Sequence, residues 1–315
     1  MNNTLISIVG PTGIGKTALS LEIAKHFQTE IISADSRQFF KEIPIGTAAP
    51  KPEELQTIKH HFIHNKSITE SYSVGDFEKE AIDCITSIHK KKPIVVMVGG
   101  SGLYVNAVLN GLDEFPEIDP KIREKLNVEL SNNGIEKLQE ELKILDQKSY
   151  NSIDLNNSHR VIRALEICKG TGQPFSSFLN KNKVKRDFKT INIGLTAERS
   201  VIYDRINKRV DLMLQQGLLE EVKSVFEYKD LNALNTVGYK EIFQYLEGNC
   251  SLEFAVDEIK KNTRRFAKRQ QTWFKKQEHT KWFDFNEPYS KIIEYIATEL
   301  QLLIDDQTKT LPMNV

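Results

Sequence analysis

The sequence predicts an α/β fold, a parallel sheet flanked by helices with an all-helical subdomain inserted into it. Three observations carry that expectation. Short apolar runs that read as buried strands, at 5–9, 30–33, 93–98 and 190–195, alternate with amphipathic helical stretches. Two of these runs feed glycine-rich turns that open helices, at 10–17 and 99–104. Between about residues 114 and 184 no strand signal occurs and helix signals follow one another. At 315 residues the chain is comfortable for two domains. The expected division is a catalytic core of 1–113 and 185–315, ending in a basic helix, around a helical insertion at 114–184.

The first strand runs into Gly10-Pro11-Thr12-Gly13-Ile14-Gly15-Lys16-Thr17, which fits G-x-x-x-x-G-K-[ST], the phosphate-cradling P-loop. The helix after it, over 16–26, turns Leu19, Ile23 and Phe27 to one face. A strand, a glycine loop and a helix in this order aim free N–H groups and a positive helix end at an anion. Lys16 is placed to reach the outer phosphates, and the Thr17 hydroxyl to ligate Mg²⁺. The motif does not say whose phosphates bind, because ATP, GTP and a non-nucleotide diphosphate all fit the cradle.

The second strand, 30–33, ends at Ala34-Asp35-Ser36-Arg37-Gln38. A carboxylate just past a strand's C-terminal end sits where α/β sheets place ligands. Asp35 suits a partner of Mg²⁺, a general base facing an acceptor, or an Asx turn that ends the strand. Residues 41–71, punctuated by Pro44, Pro50 and Pro52, read as irregular chain lying over the active site. His60, His61 and His64 in that stretch have no carboxylate or cysteine nearby at ligand spacing, which argues against a metal site.

Ser73-Val74-Gly75-Asp76 reads as a capping box opening a helix to about residue 90, with Phe77, Ala81, Ile85 and Ile88 facing inward. The strand 93–98 then leads into the second glycine turn. That turn suits tight strand–helix packing, close approach of a substrate with the Ser101 hydroxyl as a contact, or both. In the insertion, helices are expected from 120 to about 130, over 135–145 and over 158–169 ended by Gly170, with a short one from Pro174. Arg160 and Arg163 share one side of the third helix, beside His159, and Arg123 lies on the first. Each also reads as a solvated surface charge.

After the strand at 190–195, a helix over about 199–216, stopped by Gly217, stacks Arg205 and Arg209 four residues apart. Two such arginines can clamp a leaving diphosphate from the side opposite the P-loop, or belong to a salt-bridged surface. Thr236 to Glu241 opens a further helix. From Lys260 to Gln277, Lys260, Lys261, Arg264, Arg265, Lys268, Arg269, Lys275 and Lys276 occur with no Asp or Glu, interleaved with Phe266, Trp273 and Phe274. A basic helix in a chain of zero formal net charge is an electrostatic footprint for a phosphate backbone. A strand at 281–285 and a helix over 290–304 are expected to close the fold.

Cys84, Cys168 and Cys250 are far apart, which argues against zinc and against a disulfide framework. No apolar run approaches the ~20 residues of a membrane span, and strand one begins within a few residues of Met1, so a monomeric cytoplasmic protein without a signal peptide is expected. Three function classes fit a P-loop. A kinase using ATP on a small molecule or nucleotide leaves the basic helix unexplained. An ATP-driven remodeller lacks a Walker B strand, since 94–98 ends in Gly99-Gly100. An enzyme that uses a phosphorylated donor on a nucleic-acid acceptor explains both ends of the chain.

Taken together, GPTGIGKT (10–17), ISADSRQ (32–38), IGTAAP (45–50), YSVGDF (72–77), VGGSGLY (98–104), RALEI (163–167), the Arg205/Arg209 helix, VGYKE (237–241) and KRQQTWF (268–274) resemble the bacterial tRNA dimethylallyltransferase family, also called isopentenyl-tRNA transferase. They stand in the family's order from residue 5 to about 285. The resemblance implies a P-loop NTPase-like fold whose insertion holds the anticodon stem-loop. It implies transfer of a dimethylallyl group from dimethylallyl diphosphate, with Mg²⁺, to N6 of adenosine 37 in tRNAs reading codons that begin with U. Asp35 would take the amino proton. Thr12, Lys16, Thr17 with its Mg²⁺, and Arg209 would stabilise the leaving diphosphate, which the backbone of Gly10, Pro11, Thr12, Gly13, Ile14, Gly15, Lys16 and Thr17 would cradle. The family's tRNA-contacting positions correspond to Asp35, Ser36, Arg37, Gln38 and Ser101; to Arg123, His159, Arg160, Val161, Ile162 and Arg163; and to Lys268, Arg269, Gln270, Gln271, Thr272, Trp273, Phe274 and Lys275. Phe40 stands where the family commonly has Tyr, Ser101 where it has Thr, and Asn157 and Ser158 near a frequent Asp.

Overall fold

The computed structural model describes residues 3–179, 184–277 and 279–310. The chain forms two compact units, Met1–Leu109 with Arg186–Val315, and Asn110–Lys185. In chain order the first unit opens with β1 (Thr4–Val9), α1 (Lys16–His26), β2 (Ile31–Ser33), α2 (Pro52–Thr57), β3 (His60–His61), α3 (Val74–His89), β4 (Ile94–Val98) and α4 (Gly102–Asn110). The second unit holds α5 (Pro120–Asn133), α6 (Glu136–Leu145), α7 (Gln147–Ser152), α8 (Ser158–Thr171) and a 3-10 turn at Phe175–Ser177. The first unit resumes with β5 (Lys189–Thr196), α9 (Arg199–Gln215), α10 (Leu218–Ser224), α11 (Tyr239–Leu246), α12 (Leu252–Phe274), β6 (Thr280–Asp284) and α13 (Tyr289–Thr310).

The six strands form one sheet in the order β3-β2-β4-β1-β5-β6, and every pairing is parallel. The parallel sheet expected from the apolar runs is therefore present, and burial on both faces explains why those runs do not alternate with polar residues. Along β1, Ile6 and Ile8 pack with Ile193, Leu195 and the α1 residues Leu19 and Ile23. Leu5 and Val9 point the other way, onto Phe77, Ala81 and Ile85 of α3. Each such fully buried aliphatic contributes about 1.5–3 kcal/mol. A third cluster joins Val210 of α9, Leu218 of α10, Ile242 and Phe243 of α11 and Ile259 of α12 to Phe39, Phe40 and Ile43. Phe40 is buried there, edge-on to Phe39 with ring centroids 4.7 Å apart. The second unit packs around Leu126, Leu138, Leu142, Val161, Ile162 and Leu165.

Local chemistry sets the helix starts. The Ser73 hydroxyl accepts from Asp76 N at 3.2 Å and the Asp76 carboxylate accepts from Ser73 N at 2.8 Å, completing the capping box of α3. The structure departs from sequence expectation in several places. The stretch read as irregular contains α2 and the edge strand β3, which is too short to show a period. Helix α8 runs through Gly170 and ends at Gly172 in the left-handed region (φ 70). Gly170 serves a close approach instead, because a Cβ there would lie 2.6 Å from Ile118. The short helices α7 and α10 fall below the length at which periodicity is legible.

The loops after β2 and β4 meet backbone to backbone. A Cβ on Gly99 would overlap the Ala34 carbonyl, so only glycine fits. Gly99→Ala is expected to cost about 1–3 kcal/mol by overpacking, read as a lowered thermal unfolding midpoint. An unchanged midpoint would show that the two loops have room to part.

Candidate active site

Three loops converge at the C-terminal end of the sheet, following β1, β2 and β4. They are cross-tied by side chains. Ser101 Oγ accepts from Ser36 N at 2.9 Å and donates to Ser36 Oγ at 3.1 Å. Asp35 Oδ1 accepts from Arg37 N at 3.0 Å, so the Asx turn is real and occupies one carboxylate oxygen. Gln38 accepts from Ser33 Oγ at 3.1 Å and donates to the Thr47 and Ala48 carbonyls at 3.3 and 3.2 Å, pulling residues 45–50 over the loops. The other end of that segment is held by Glu221, which accepts from Ile45 N at 2.7 Å, Gly46 N at 2.8 Å and the buried Tyr239 hydroxyl at 2.5 Å.

Two cavities flank Asp35. The first, about 480 Å³, is lined by the P-loop residues Thr12, Gly13, Gly15, Lys16 and Thr17 together with Arg205, Lys208, Arg209, Glu54 and His60. The second, about 420 Å³, is lined by Ser36, Arg37 and Ser101, by apolar Ile206, Val210, Met213, Leu218 and Val237, and by Thr263 and Arg269 of α12. Thr12, Asp35, Thr47, Arg209 and Phe266 line both. Asp35 thus stands between a cationic chamber and a partly apolar one.

Lys16 Nζ donates to the Gly10 and Pro11 carbonyls at 3.0 and 2.8 Å. Burial foremost, then the Arg209 charge, lowers its pKa to about 7 against the opposing pull of Asp35. Burial raises the Asp35 pKa in spite of the Arg37 N–H bond and the Lys16 and Arg209 charges. A carboxylate destabilised in this way is a stronger proton acceptor. Arg209 Nη2 lies 3.5 Å from the Ala48 carbonyl, and Arg205 Nε donates to the Gly13 carbonyl at 2.7 Å while its guanidinium sits 5.2 Å from the Phe285 ring. Cations outnumber carboxylates in the first chamber, which therefore favours an anion of high charge.

Among the described residues no group of three or more His, Cys, Asp and Glu could hold a metal. Thr17 in the first chamber, joined by ligand phosphate oxygens and water, is the kind of sparse oxygen set that suits Mg²⁺. His61 Nε2 lies 2.8 Å from Glu30 Oε2 and His60 Nδ1 lies 2.8 Å from the Ile58 carbonyl, while His60 Nε2 and His64 Nε2 are buried without a hydrogen-bond partner.

Helix α12 turns one face outward and another inward. Arg265, Phe266, Lys268, Arg269, Thr272, Trp273, Lys275 and Lys276 are exposed, and Gln271 is half-buried. The basic stripe is less free than its composition suggests. Lys260 pairs with Asp211 at 2.6 Å, Lys261 with Glu258 at 2.7 Å, and Arg264 donates to Asn207 at 2.7 Å. Phe274 is fully buried, and Gln270 is 5% exposed, accepting from Thr12 N at 2.8 Å and donating to the Gly100 carbonyl at 2.9 Å. Neither side chain lies on the exposed face of the helix, and Gln270 instead lines the first chamber. Buried Ala255, Ile259, Ala267, Gln270 and Phe274 recur at helical spacing, so that period could have placed Gln270 inward.

In the second unit, His159 and Arg160 are exposed, whereas Val161 and Ile162 lie in the core and present no side chain to a partner. Arg123 and Arg163 each donate to the buried Glu166 carboxylate at 2.8 Å, and Arg163 also sits 5.0 Å from the Phe115 ring. Glu221, Glu54 and Lys208 are site residues that sequence reasoning missed. Glu221 is separated from the loop it holds by 176 residues, and no local pattern announces such a contact.

A family model described as IPP transferase matches residues 38–277. A protein of Christiangramia forsetii named tRNA dimethylallyltransferase is 58% identical over 300 residues, covering 95% of this chain and 99% of that one. The crystal structure of the full-length tRNA isopentenylpyrophosphate transferase of Bacillus halodurans is 40% identical with a TM-score of 0.72, covering 98% of each chain. A eukaryotic dimethylallyltransferase described as acting on tRNA is 28% identical with a TM-score of 0.78, covering 99% of this chain and 81% of that one.

Lys16 is charged below its lowered pKa and neutral above it. Affinity for inorganic diphosphate in the free protein is expected to fall as pH rises from about 7 toward 9. Titration calorimetry against Lys16→Met at each pH subtracts the ligand's own ionisation. Parallel pH dependences in the two proteins would show that Lys16 does not supply the charge.

Proposed function

The chain belongs to the IPP transferase family, and on that premise we propose that it transfers the dimethylallyl group of dimethylallyl diphosphate to N6 of adenosine 37 in tRNAs reading codons that begin with U. The products are N6-isopentenyladenosine and diphosphate. The observation that carries this reading is the position of Asp35 between two chambers, one lined by the P-loop with Lys16 and by Arg205, Lys208 and Arg209 of α9, and one walled by the basic helix α12. A donor whose diphosphate lies in the first presents its allylic carbon toward Asp35. A base flipped from its stack enters by the second, as enzymes acting on a base generally require.

An exocyclic adenine amine is a weak nucleophile because its lone pair is delocalised into the ring. As N6 forms its bond to the allylic carbon, the carbon–oxygen bond breaks and its electron pair leaves with the diphosphate. The amino proton passes to Asp35, whose burial raises its proton affinity. P-loop amides, Lys16 and Arg209 receive the growing charge on the leaving group, and buried cations act there without reorganising. Mg²⁺ held by the Thr17 hydroxyl and the diphosphate would supply further neutralisation of that charge. The apolar side chains of the second chamber suit the five-carbon tail and the base face.

Arg265, Lys268, Arg269, Lys275 and Lys276 form the exposed cationic edge offered to the RNA backbone, with Trp273 and Phe266 available for stacking. His159 and Arg160 of α8 are the exposed polar groups through which the second unit would grip the anticodon stem-loop. No helix among the described residues is long and apolar enough to cross a membrane, and the reading places the enzyme in the cytoplasm with its tRNA.

The test is purified protein with Mg²⁺, an unmodified anticodon stem-loop and either dimethylallyl diphosphate or ATP, followed by mass spectrometry of the RNA. A gain of one prenyl unit with dimethylallyl diphosphate alone is expected. ATP consumption without that gain would return the protein to the kinase class. Asp35→Ala is expected to lower turnover by about 10²–10⁴-fold with stem-loop affinity nearly unchanged; near-normal turnover would remove Asp35 from the role of base. Lys268→Ala with Arg269→Ala is expected to flatten the dependence of log K on log salt by about 1 for each phosphate left without its cation. A slope equal to that of the parent would show that this edge does not meet phosphate.

A further inference from the structure

We propose that Gln270 is a positioning residue that sets the distance between the diphosphate cradle and the turn carrying Asp35. The inference rests on the reading above and concerns a different group. Gln270 comes from α12, yet both ends of its buried amide are spent on the active-site loops. Oε1 accepts from Thr12 N in the P-loop, and Nε2 donates to the Gly100 carbonyl after β4. The orientation is forced, because the flipped amide would set N–H against N–H and oxygen against oxygen. A Cβ on Gly100 would lie 2.5 Å from Gln270 Nε2, so the loop is shaped to admit this side chain.

The next residue continues the connection. Ser101 accepts from Ser36 N and bonds the Ser36 hydroxyl, immediately beside Asp35. The result is one strap, Thr12 to Gln270 to Gly100 and Ser101 to Ser36, that joins the loops after β1, β4 and β2. The leaving group is held at one end and the proton acceptor at the other. A displacement of about 1 Å between reacting groups can cost on the order of 100-fold in rate without removing any group that touches substrate.

The experiment measures steady-state transfer by the full-length protein with dimethylallyl diphosphate and the stem-loop. Gln270→Met, of similar volume but without amide hydrogen bonds, is expected to lower kcat about 10–100-fold while KM for the stem-loop stays within about threefold of the parent. Gln270→Glu keeps an acceptor for Thr12 N and is expected to recover part of the loss, which also covers the case in which Gln270→Met does not fold. Ser101→Ala breaks the same strap at its other link. The Gln270→Met and Ser101→Ala losses are therefore expected to be far from additive in the double variant.

A kcat within twofold of the parent in Gln270→Met overturns the inference. So does full additivity with Ser101→Ala, which would reduce Gln270 to a packing role. Both are judged beside the parent protein. No transfer by the parent overturns the functional reading itself, whereas normal transfer by the parent and by Gln270→Met overturns only the strap.

Discussion

Three strand ends must converge on one site, and the close approach of Gly99 to the Ala34 carbonyl, which leaves no space for a side chain between the loops after β2 and β4, is the tightest point of that convergence. Parallel strands all deliver their C-terminal loops to one edge, so the P-loop, the Asp35 turn and the second glycine turn are brought to one place by topology. Side-chain ties through Ser101, Gln38 and Gln270 then set their register. Each tie is a buried or half-buried hydrogen bond worth only about 0.5–1.5 kcal/mol net, but leaving its partners unmade inside the fold costs more. The site is therefore held by geometry that is expensive to violate rather than by any single strong bond.

Electrostatics follows from that geometry. Lys16, Arg205, Lys208 and Arg209 share a chamber with Asp35 and Glu54, and burial works against the charge on both Lys16 and Asp35. Lys16 is pushed toward neutrality and Asp35 toward protonation, although each partly rescues the other. An entering anion relieves the excess positive charge, and two unit charges 4 Å apart interact by about 4 kcal/mol at an effective dielectric of 20. The same burial that disfavours the Asp35 carboxylate readies it to accept a proton.

Helix α12 joins the substrate-facing surface to this interior. Its outward residues Arg265, Lys268, Arg269, Lys275 and Lys276 form no salt bridge among the described residues, while its inward residues Ala267, Gln270 and Phe274 pack on the sheet and loops. Part of the basic stripe is consumed in tying α12 to α9, through Lys260 with Asp211 and Arg264 with Asn207. In the second unit Arg123 and Arg163 converge on Glu166, so their charge is shared rather than free. A count of basic residues thus overstates the cationic surface at both places.

The sequence by itself determined five of the six described strands, the P-loop, the capping box of α3 and the position of Asp35 after β2, because each is written in residues adjacent in the chain. Hydrophobic period and glycine spacing are local signals, and local signals suffice for elements longer than about two turns. Whereas the inward face of α12 that holds Gln270 and Phe274 follows a period present in the sequence, only the tertiary structure decided that β3 extends the sheet and that α8 passes through Gly170. It alone brought Glu221 to the backbone of Ile45 and Gly46, and Gln270 to Thr12, across 176 and 258 residues of chain. The physical reason is that the partner of such a side chain is fixed by packing between distant elements, and a hydrogen bond between residues far apart in the chain leaves no trace in the sequence near either of its ends.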